Sequence, residues 1–296
     1  MYISYDYYRV FYYVAKYGNI SQAARLLMNN QPNLTRTIKK LEAELGCPLF
    51  SRSRKGMALT PEGERLYAHI RLAIEHIHAG EAELTDVRSL QSGSVYIAAS
   101  EVALRCLLLP VFKQFRLLYP GIHLRISNHS TPQAIDALKN GTADFAVVTT
   151  PTLPIPSLTE IPIKPITETA VCTPYFAELT EKTVSLARLT EFPLISLGKD
   201  TRSFGFYSAF FAAHGVRYEP DIEAFTADQI LPMVQADLGI GFVPEEFLRE
   251  GDGVCRILLE EPIPERQIVL IQRKDQPLSL AAKALKQRIL QPIPTE

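Results

Sequence analysis

The 296-residue sequence predicts an α/β protein in three parts: a small helical head ending in a hairpin, one long helix, and a larger body. Three observations carry this. Up to about residue 60, apolar residues recur at three- and four-residue spacing in short runs that begin and end on capping residues. From Pro61 to about residue 91 the same period continues without a break. From Ser94 onward, strand-like apolar runs alternate with amphipathic helical ones, the pattern of a doubly wound sheet.

The length fits two or three domains, and 47% hydrophobic residues are ample for their cores. No run is long and apolar enough to span a bilayer. The N-terminus lacks the basic region and apolar stretch of a signal peptide, so a cytoplasmic protein without a membrane partner is expected. Cys47, Cys106, Cys172 and Cys255 lie far apart and form no CxxC, which reads as reduced thiols. The net charge of −1 hides an asymmetry. Residues 1–61 hold nine Lys/Arg and three Asp/Glu, whereas the remainder holds 22 and 29. A basic head on an acidic body predicts that only the head meets a polyanion.

Taken in order, Tyr7, Val10, Phe11, Val14 and Ala15 predict an amphipathic helix over 5–17, ended by Gly18. Ser21 is expected to cap a second helix over 22–28, in which Ala23 and Ala24 permit close packing. Asn29 and Asn30 make the turn, Asn30 caps the third helix, and Pro32 falls in its first turn. That helix buries Leu34, Ile38, Leu41 and Leu45 and turns outward Gln31, Asn33, Thr35, Arg36, Thr37, Lys39 and Lys40. Amide side chains bond adenine edges in pairs, and arginine does the same to guanine. Their place near the helix N-terminus is where a recognition helix touches bases. Lys39 and Lys40 are placed to reach phosphates. Leu49-Phe50 and Ala58-Leu59 read as short strands around a basic tip over 52–56, containing Arg52, Arg54 and Lys55. Such a wing grips backbone or minor groove. Each residue alone would read as a solvated face; the ordered set reads as a winged helix-turn-helix on double-stranded DNA.

Thr60 and Pro61 start the long helix. Leu66, Ile70, Ala73, Ile77, Gly80, Leu84 and Val87 alternate at four and three, a seam of about three heptads. A linker between differently charged domains is expected to pair two subunits; the alternative is a helix buried within one domain. Gly80 weakens it by roughly 1 kcal/mol against alanine. Pairing has a physical logic, since one head contacts few bases and two half-sites supply specificity.

In the body, strands over 95–99, 122–128 and 144–148 enclose helices over 103–119 and 132–139, a βαβαβ run. Pro154, Pro156, Pro162 and Pro165 are read as marking a crossing to a second half with elements over 169–173, 193–197, 203–213, 228–236 and 239–244. A strand over 267–272 and a helix over 279–290 close the chain. No GxSxG, HExxH, GxGxxG or P-loop occurs, and the six histidines show no ligand spacing. No enzyme, cofactor or metal site is expected.

The head resembles the LysR-type transcriptional regulators. The family pattern of a capped helix opening on paired alanines, then Gln-Pro-x-Leu-Ser/Thr-Arg-x-Ile-x-x-Leu-Glu, Leu-Gly-x-x-Leu-Phe-x-Arg and Leu-Thr-x-x-Gly, is matched by residues 21–24, 31–42, 45–52 and 59–63. Asn30 and Asn33 depart from it. The resemblance implies that Gln31, Pro32, Thr35 and Arg36 approach bases, with Ser21 and Gln22 opening the helix before them; Asn33 is added from its own position. In the body, Leu108-Leu-Pro110, Tyr119-Pro120, Asn140-Gly-x-x-Asp144, Gly239-Ile-Gly-x-x-Pro244 and Arg273-Lys274 before Leu278-Ser-x-Ala-Ala extend the resemblance over essentially the whole chain.

The resemblance implies a DNA-binding domain over 1–60, a dimerisation helix over 61–92 and a periplasmic-binding-protein-like effector domain over 93–296. Two lobes, about 93–162 plus 266–296 and about 163–265, would enclose a ligand cleft. Ligands in such folds bind beyond strand C-termini, near helix N-termini. That rule selects Ser100, Glu101, Ser130, Thr131, Thr149 and Thr150 from one lobe and Thr201, Arg202, Ser203, Phe225 and Thr226 from the other. Hydroxyls and free N–H groups suit a small carboxylate, with Arg202 as a clamp; Glu101 argues against a purely anionic ligand. The alternative is that these are ordinary caps and turn residues. The implied partners are promoter DNA, a small-molecule effector, a second or further copies in a homodimer or homotetramer, and RNA polymerase. As in some members of the family, Cys106 or Cys172 would be the candidate redox sensor, but apolar neighbours favour core thiols. A constitutive or architectural DNA-binding protein without an effector is the alternative within DNA binding.

Overall fold

The computed structural model describes residues 3–53, 56–84, 90 and 93–291. The chain forms two compact units, residues 1–88 with 140–142, and residues 89–139 with 143–296.

In the head, α1 (Tyr5–Tyr17) is capped by Ser4 and ends on Gly18 at φ +61°, whose N–H donates to the Val14 carbonyl. The next helix, α2 (Ile20–Leu26), differs from expectation at both ends. Its cap is Asn19, not Ser21: Asn19 Oδ1 accepts from the Gln22 N–H at 3.1 Å. The cap must sit three residues ahead of the N–H it satisfies, which places Ser21 inside the first turn. The helix stops at Leu26 because Met28 takes a positive φ of 49°. The third helix, α3 (Gln31–Leu45), is capped by Asn30, whose Oδ1 accepts from the Asn33 N–H at 2.9 Å, and ends on Gly46 at φ +74°. Antiparallel strands β1 (Phe50–Ser53) and β2 (Gly56–Leu59) form the wing. They run further than expected, so Arg52 and Gly56 are paired strand residues. Arg54 and Lys55 lie outside the described residues, as does the Arg52 side chain.

Val10, Val14, Ala23, Ala24, Leu34 and Ile38 form one core; Phe11, Leu41 and Leu49 form another, with Leu45 half-buried beside it. The long helix α4 (Pro61–Leu84) begins where Thr60 Oγ1 accepts from the Gly63 N–H at 3.0 Å. A Cβ at Gly63 would stand 2.1 Å from the Leu49 carbonyl oxygen, so only glycine lets α4 cross the root of the wing. Leu66 and Ile70 are half-buried against the Phe11–Leu41–Leu49 core, whereas Ala73 and Ile77 are exposed. The Leu84 side chain and Val87 lie outside the described residues.

The body holds two five-stranded mixed sheets. The first begins with β3 (Gly93–Ala99), then α5 (Glu101–Ala103), which runs through a π-turn at Leu104–Leu108 into α6 (Leu109–Leu118). Pro110 has no N–H to return to the Cys106 carbonyl, and such a gap is where an α-helix widens. There follow β4 (Ile122–Asn128), α7 (Thr131–Lys139), β5 (Phe145–Thr149) and β6 (Leu158–Ile166). The second sheet is built from β7 (Glu168–Cys172), β8 (Leu194–Leu197), β9 (Ile222–Ala224), β10 (Ile240–Pro244) and β11 (Cys255–Ile257), with α8 (Leu186–Leu189), α9 (Arg202–Ala213) and α10 (Ile230–Gln235) between them. The chain returns to the first sheet as β12 (Arg266–Arg273) and ends in α11 (Leu280–Leu290).

The strand orders are β4-β3-β5-β12-β6 and β11-β7-β10-β8-β9. Along β5, Phe145 and Val147 join one core and Ala146 and Val148 another, so this strand is covered on both faces. The first crossing lies between Ile166 and Glu168 rather than near 162, because β6 stays paired with β12 to its last residue, Ile166 opposite Arg266. Pro162 and Pro165 therefore sit inside a strand. It is an edge strand, where a missing N–H is tolerated. No helix among the described residues is long and apolar enough to cross a membrane.

Candidate functional site

The outer face of α3 is open. Gln31, Pro32, Asn33, Arg36, Lys39 and Lys40 are exposed, as are Ser21 and Gln22 on α2; Thr35 is half-buried. Short bonds organise the N-terminal end of this face. The Ser21 hydroxyl donates to Gln31 Oε1 at 3.3 Å, and the Thr35 hydroxyl donates to the Gln31 carbonyl at 2.9 Å. Asn33 Nδ2 donates to Asn29 Oδ1 at 2.9 Å, which ties that amide to the turn. Arg36, Lys39 and Lys40 keep cationic heads in solvent, the arrangement that base edges and phosphates require. Glu42, an acid in this basic unit, acts locally. Its Oε1 accepts from the Leu49 and Phe50 N–H groups at 2.8 and 3.2 Å and so fixes the wing to α3.

A cleft of about 320 Å³ opens in the body, at the lower end of small-molecule sites. Beyond β3, Ser100 Oγ accepts from the Ala103 N–H at 3.2 Å, and Glu101 Oε2 accepts from Asn128 Nδ2 at 2.9 Å. Beyond β4, the Ser130 N–H donates to Gln133 Oε1 at 2.9 Å, and the Thr131 hydroxyl donates to the Thr149 carbonyl at 3.3 Å. From the second sheet, Thr201 caps α9 by accepting from the Phe204 N–H at 3.1 Å, and Thr226 forms a capping box with Gln229. Ser100, Glu101, Ser130, Thr131, Thr149, Thr201, Arg202, Ser203, Phe225 and Thr226 all line this one cleft. Thr150 does not. Its hydroxyl accepts from the Gln267 N–H at 2.9 Å and its carbonyl from Arg266 Nε at 2.7 Å, so it belongs to the return crossing.

Sequence reasoning missed Asn128, His129, Asp200 and Glu223, which also line the cleft. Asp200 and His129 adjoin selected residues in sequence; Glu223 carries no motif. It also missed Arg266, which is buried beneath the cleft at 2% exposure. Arg266 Nη1 donates to Glu168 Oε1 at 2.6 Å, and Nη2 donates to Thr149 Oγ1 and Ser203 Oγ at 2.8 and 3.1 Å. The guanidinium also lies 4.9 Å from the Phe206 ring centre. One arginine thus joins both crossings, the end of β5 and the start of α9. The only signal was an arginine at the head of an apolar strand.

Burial raises the Glu101 pKa, with Asp228 adding to the rise and Arg105 opposing it. Burial lowers that of His129. Arg202 Nε is buried and makes no hydrogen bond. Burial and then Glu246 push the Cys106 thiol up to about 12, and burial and then Cys255 push Cys172 up to about 11.

Residues 5–64 match the family model described as the bacterial regulatory helix-turn-helix protein, lysR family, and residues 88–292 match that of the LysR substrate binding domain. The chain is 27% identical over 242 residues to the HTH-type transcriptional regulator CysB of Burkholderia cenocepacia, covering 81% of this chain and 77% of that one. It is 26% identical over 281 residues to the uncharacterized HTH-type transcriptional regulator YbhD of Escherichia coli K12, covering 93% and 87%. Among solved structures, a full-length OxyR variant from Pseudomonas aeruginosa superposes with TM-score 0.70 at 19% identity, covering 98% and 95%. Full-length CbnR complexed with its target DNA superposes with TM-score 0.66 at 20% identity, covering 97% and 98%. These two likenesses show the fold. The helix-turn-helix head with its exposed recognition face, followed by the two-sheet ligand-binding body, makes this chain a member of the LysR family of DNA-binding transcriptional regulators, with a C-terminal effector-binding domain.

Proposed function

We propose that the protein binds promoter DNA as a dimer or tetramer and that a small molecule bearing a carboxylate, held in the body cleft, controls that binding. The observation that carries the reading is the cleft itself: ten selected residues, taken from the ends of strands in both sheets, border one cavity. The first-turn N–H groups of α7 and α9 face no intrahelical acceptor and suit an anionic group. Gln31, Pro32, Thr35 and Arg36 would read bases, and Lys39, Lys40, Arg52, Arg54 and Lys55 would hold phosphates. The exposed seam positions Ala73 and Ile77 support pairing through α4. Action in the cytoplasm with RNA polymerase as a further partner completes the proposal.

Two measurements test it. Sequencing the genomic fragments retained by the purified protein should return a two-fold repeated motif; fragments without a shared motif would reject sequence-specific control. Isothermal titration against a panel of small carboxylates should give saturable binding of at least one, which then shifts the affinity for the retained DNA. Binding of DNA with no response to any panel member would leave a constitutive DNA-binding protein.

A further inference from the structure

The cleft carries more negative charge than a purely anionic ligand fits. Glu101, Asp200 and Glu223 all line it. A Cβ placed on Gly198 would stand 2.8 Å from Glu223 Oε1 and 2.9 Å from Asp200 Oδ1, so these two oxygens flank a single point on the wall. Neither residue joins an ion pair among the described residues. Phe225, 84% exposed, offers an aromatic face at the same cavity, and such a face attracts an ammonium.

A separate observation concerns the floor. A compartment of about 20 Å³ shares Val102, Leu197, Ser203 and Ala227 with the cleft. Tyr207 lines it, is only 5% exposed, and its hydroxyl has no hydrogen-bond partner. Buried hydroxyls are almost always satisfied, so this one points to a polar atom brought by a ligand. The volume holds one oxygen-sized group. Arg266 and Ser203 border the same compartment and supply donors.

We propose that the effector is a small zwitterion of amino-acid size, its amine seated among Glu101, Asp200 and Glu223 and its oxygen-bearing end directed to the floor at Ser203, Tyr207 and Arg266. This rests on the cleft being the effector site, as argued above, and adds an amine to the carboxylate. The cavity disfavours either charge alone: three carboxylates repel an anion, while Arg202 and the helix N-termini disfavour a simple cation, Arg266 being already paired with Glu168, which borders the same compartment.

The test uses the full chain and three matched sets: the standard amino acids, their N-acetyl derivatives, which lose the cation, and their amides, which lose the anion. Thermal shift screens the sets and titration calorimetry measures the hits. At least one amino acid should bind saturably, with either modification weakening it by about tenfold or more. Asp200→Asn with Glu223→Gln should weaken the amino acid by a similar factor and leave its N-acetyl derivative unaffected or tighter. Tyr207→Phe should weaken the amino acid without lowering the melting temperature of the ligand-free chain. An N-acetyl derivative binding as tightly as its parent overturns the amine subsite while the carboxylate reading stands. Amides binding without any acid overturns both. Silence of the whole amino-acid set overturns the zwitterion, and the carboxylate panel then decides the broader reading.

Discussion

Arg266 donates to the Glu168 carboxylate across 2.6 Å, with the two side chains 2% and 3% exposed. Glu168 opens the first strand after the chain crosses to the second sheet, and Arg266 opens the first strand after it returns. The pair therefore locks the two crossings together directly beneath the cleft. Removing one partner of a buried pair strands the other charge, whereas removing both does not. Arg266→Leu should destabilise the protein by about 3–5 kcal/mol, and Arg266→Leu with Glu168→Leu by clearly less. Urea denaturation of the two single variants and the double variant checks this; additive losses would mean that the two residues do not act as a pair.

Glu42 fixes the start of β1 to the recognition helix by accepting from two backbone N–H groups. Hydrogen bonds to a charged acceptor contribute about 1.5–3 kcal/mol. Glu42→Ala should speed amide exchange at Leu49 and Phe50, and Glu42→Gln, which keeps an acceptor, should do so less. Unchanged exchange in the alanine variant would show that the wing is held by its apolar contacts alone.

Arg36 is exposed on the recognition face. Arg36→Ala should cost about 1–3 kcal/mol of operator affinity and relax sequence preference. Arg54, outside the described residues, serves as the contrast. Its replacement by alanine should weaken all DNA alike and lower the slope of affinity against salt. Fluorescence anisotropy on operator and scrambled duplexes separates the two; equal losses on both duplexes for Arg36→Ala would remove it from base reading.

Ile77 is 40% exposed on α4, so it does little for the isolated subunit. Ile77→Lys should raise the dimer dissociation constant and leave the melting temperature of the monomeric fraction nearly unchanged. Light scattering over a dilution series reads this directly. A mass that does not change would take this part of the seam out of the interface, or show that other contacts hold the dimer.

Cys106 and Cys172 have thiols raised to about 12 and about 11, chiefly by burial. The thiolate is the reactive form, and at about pH 8 it is scarce for both. Iodoacetamide should label them far more slowly in the native chain than after denaturation, as read by peptide mass spectrometry. Rapid native labelling of either would reopen a redox role. Cys172 stands opposite Cys255 in the β7–β11 register, a long-range pairing that the sequence spacing concealed.

Local rules made most of the head legible: caps, a glycine after α1 and after α3, and the four-three apolar spacing act over a few residues, so Tyr5–Tyr17 and Gln31–Leu45 could be read from the letters. The error at Ser21 was of the same local kind, two residues from the true cap at Asn19. In the body, the rule that helices begin beyond strand C-termini selected ten cleft residues. It wrongly included Thr150, whose hydroxyl and carbonyl are taken by β12, a strand more than a hundred residues away. It also misread Pro162 and Pro165, since only sheet order reveals that their strand lies on an edge.

The sequence by itself determined the family, the basic recognition face and the alternation that builds two sheets. Each of these is written in neighbouring residues or in a fixed repeat. The tertiary structure decided which distant groups share a cavity. Glu223 and Asp200 beside Gly198, Tyr207 at the floor, and Arg266 on Glu168 are brought together by sheet register and crossings. Their meaning is electrostatic and depends on separation and burial, and neither quantity exists until the chain has folded.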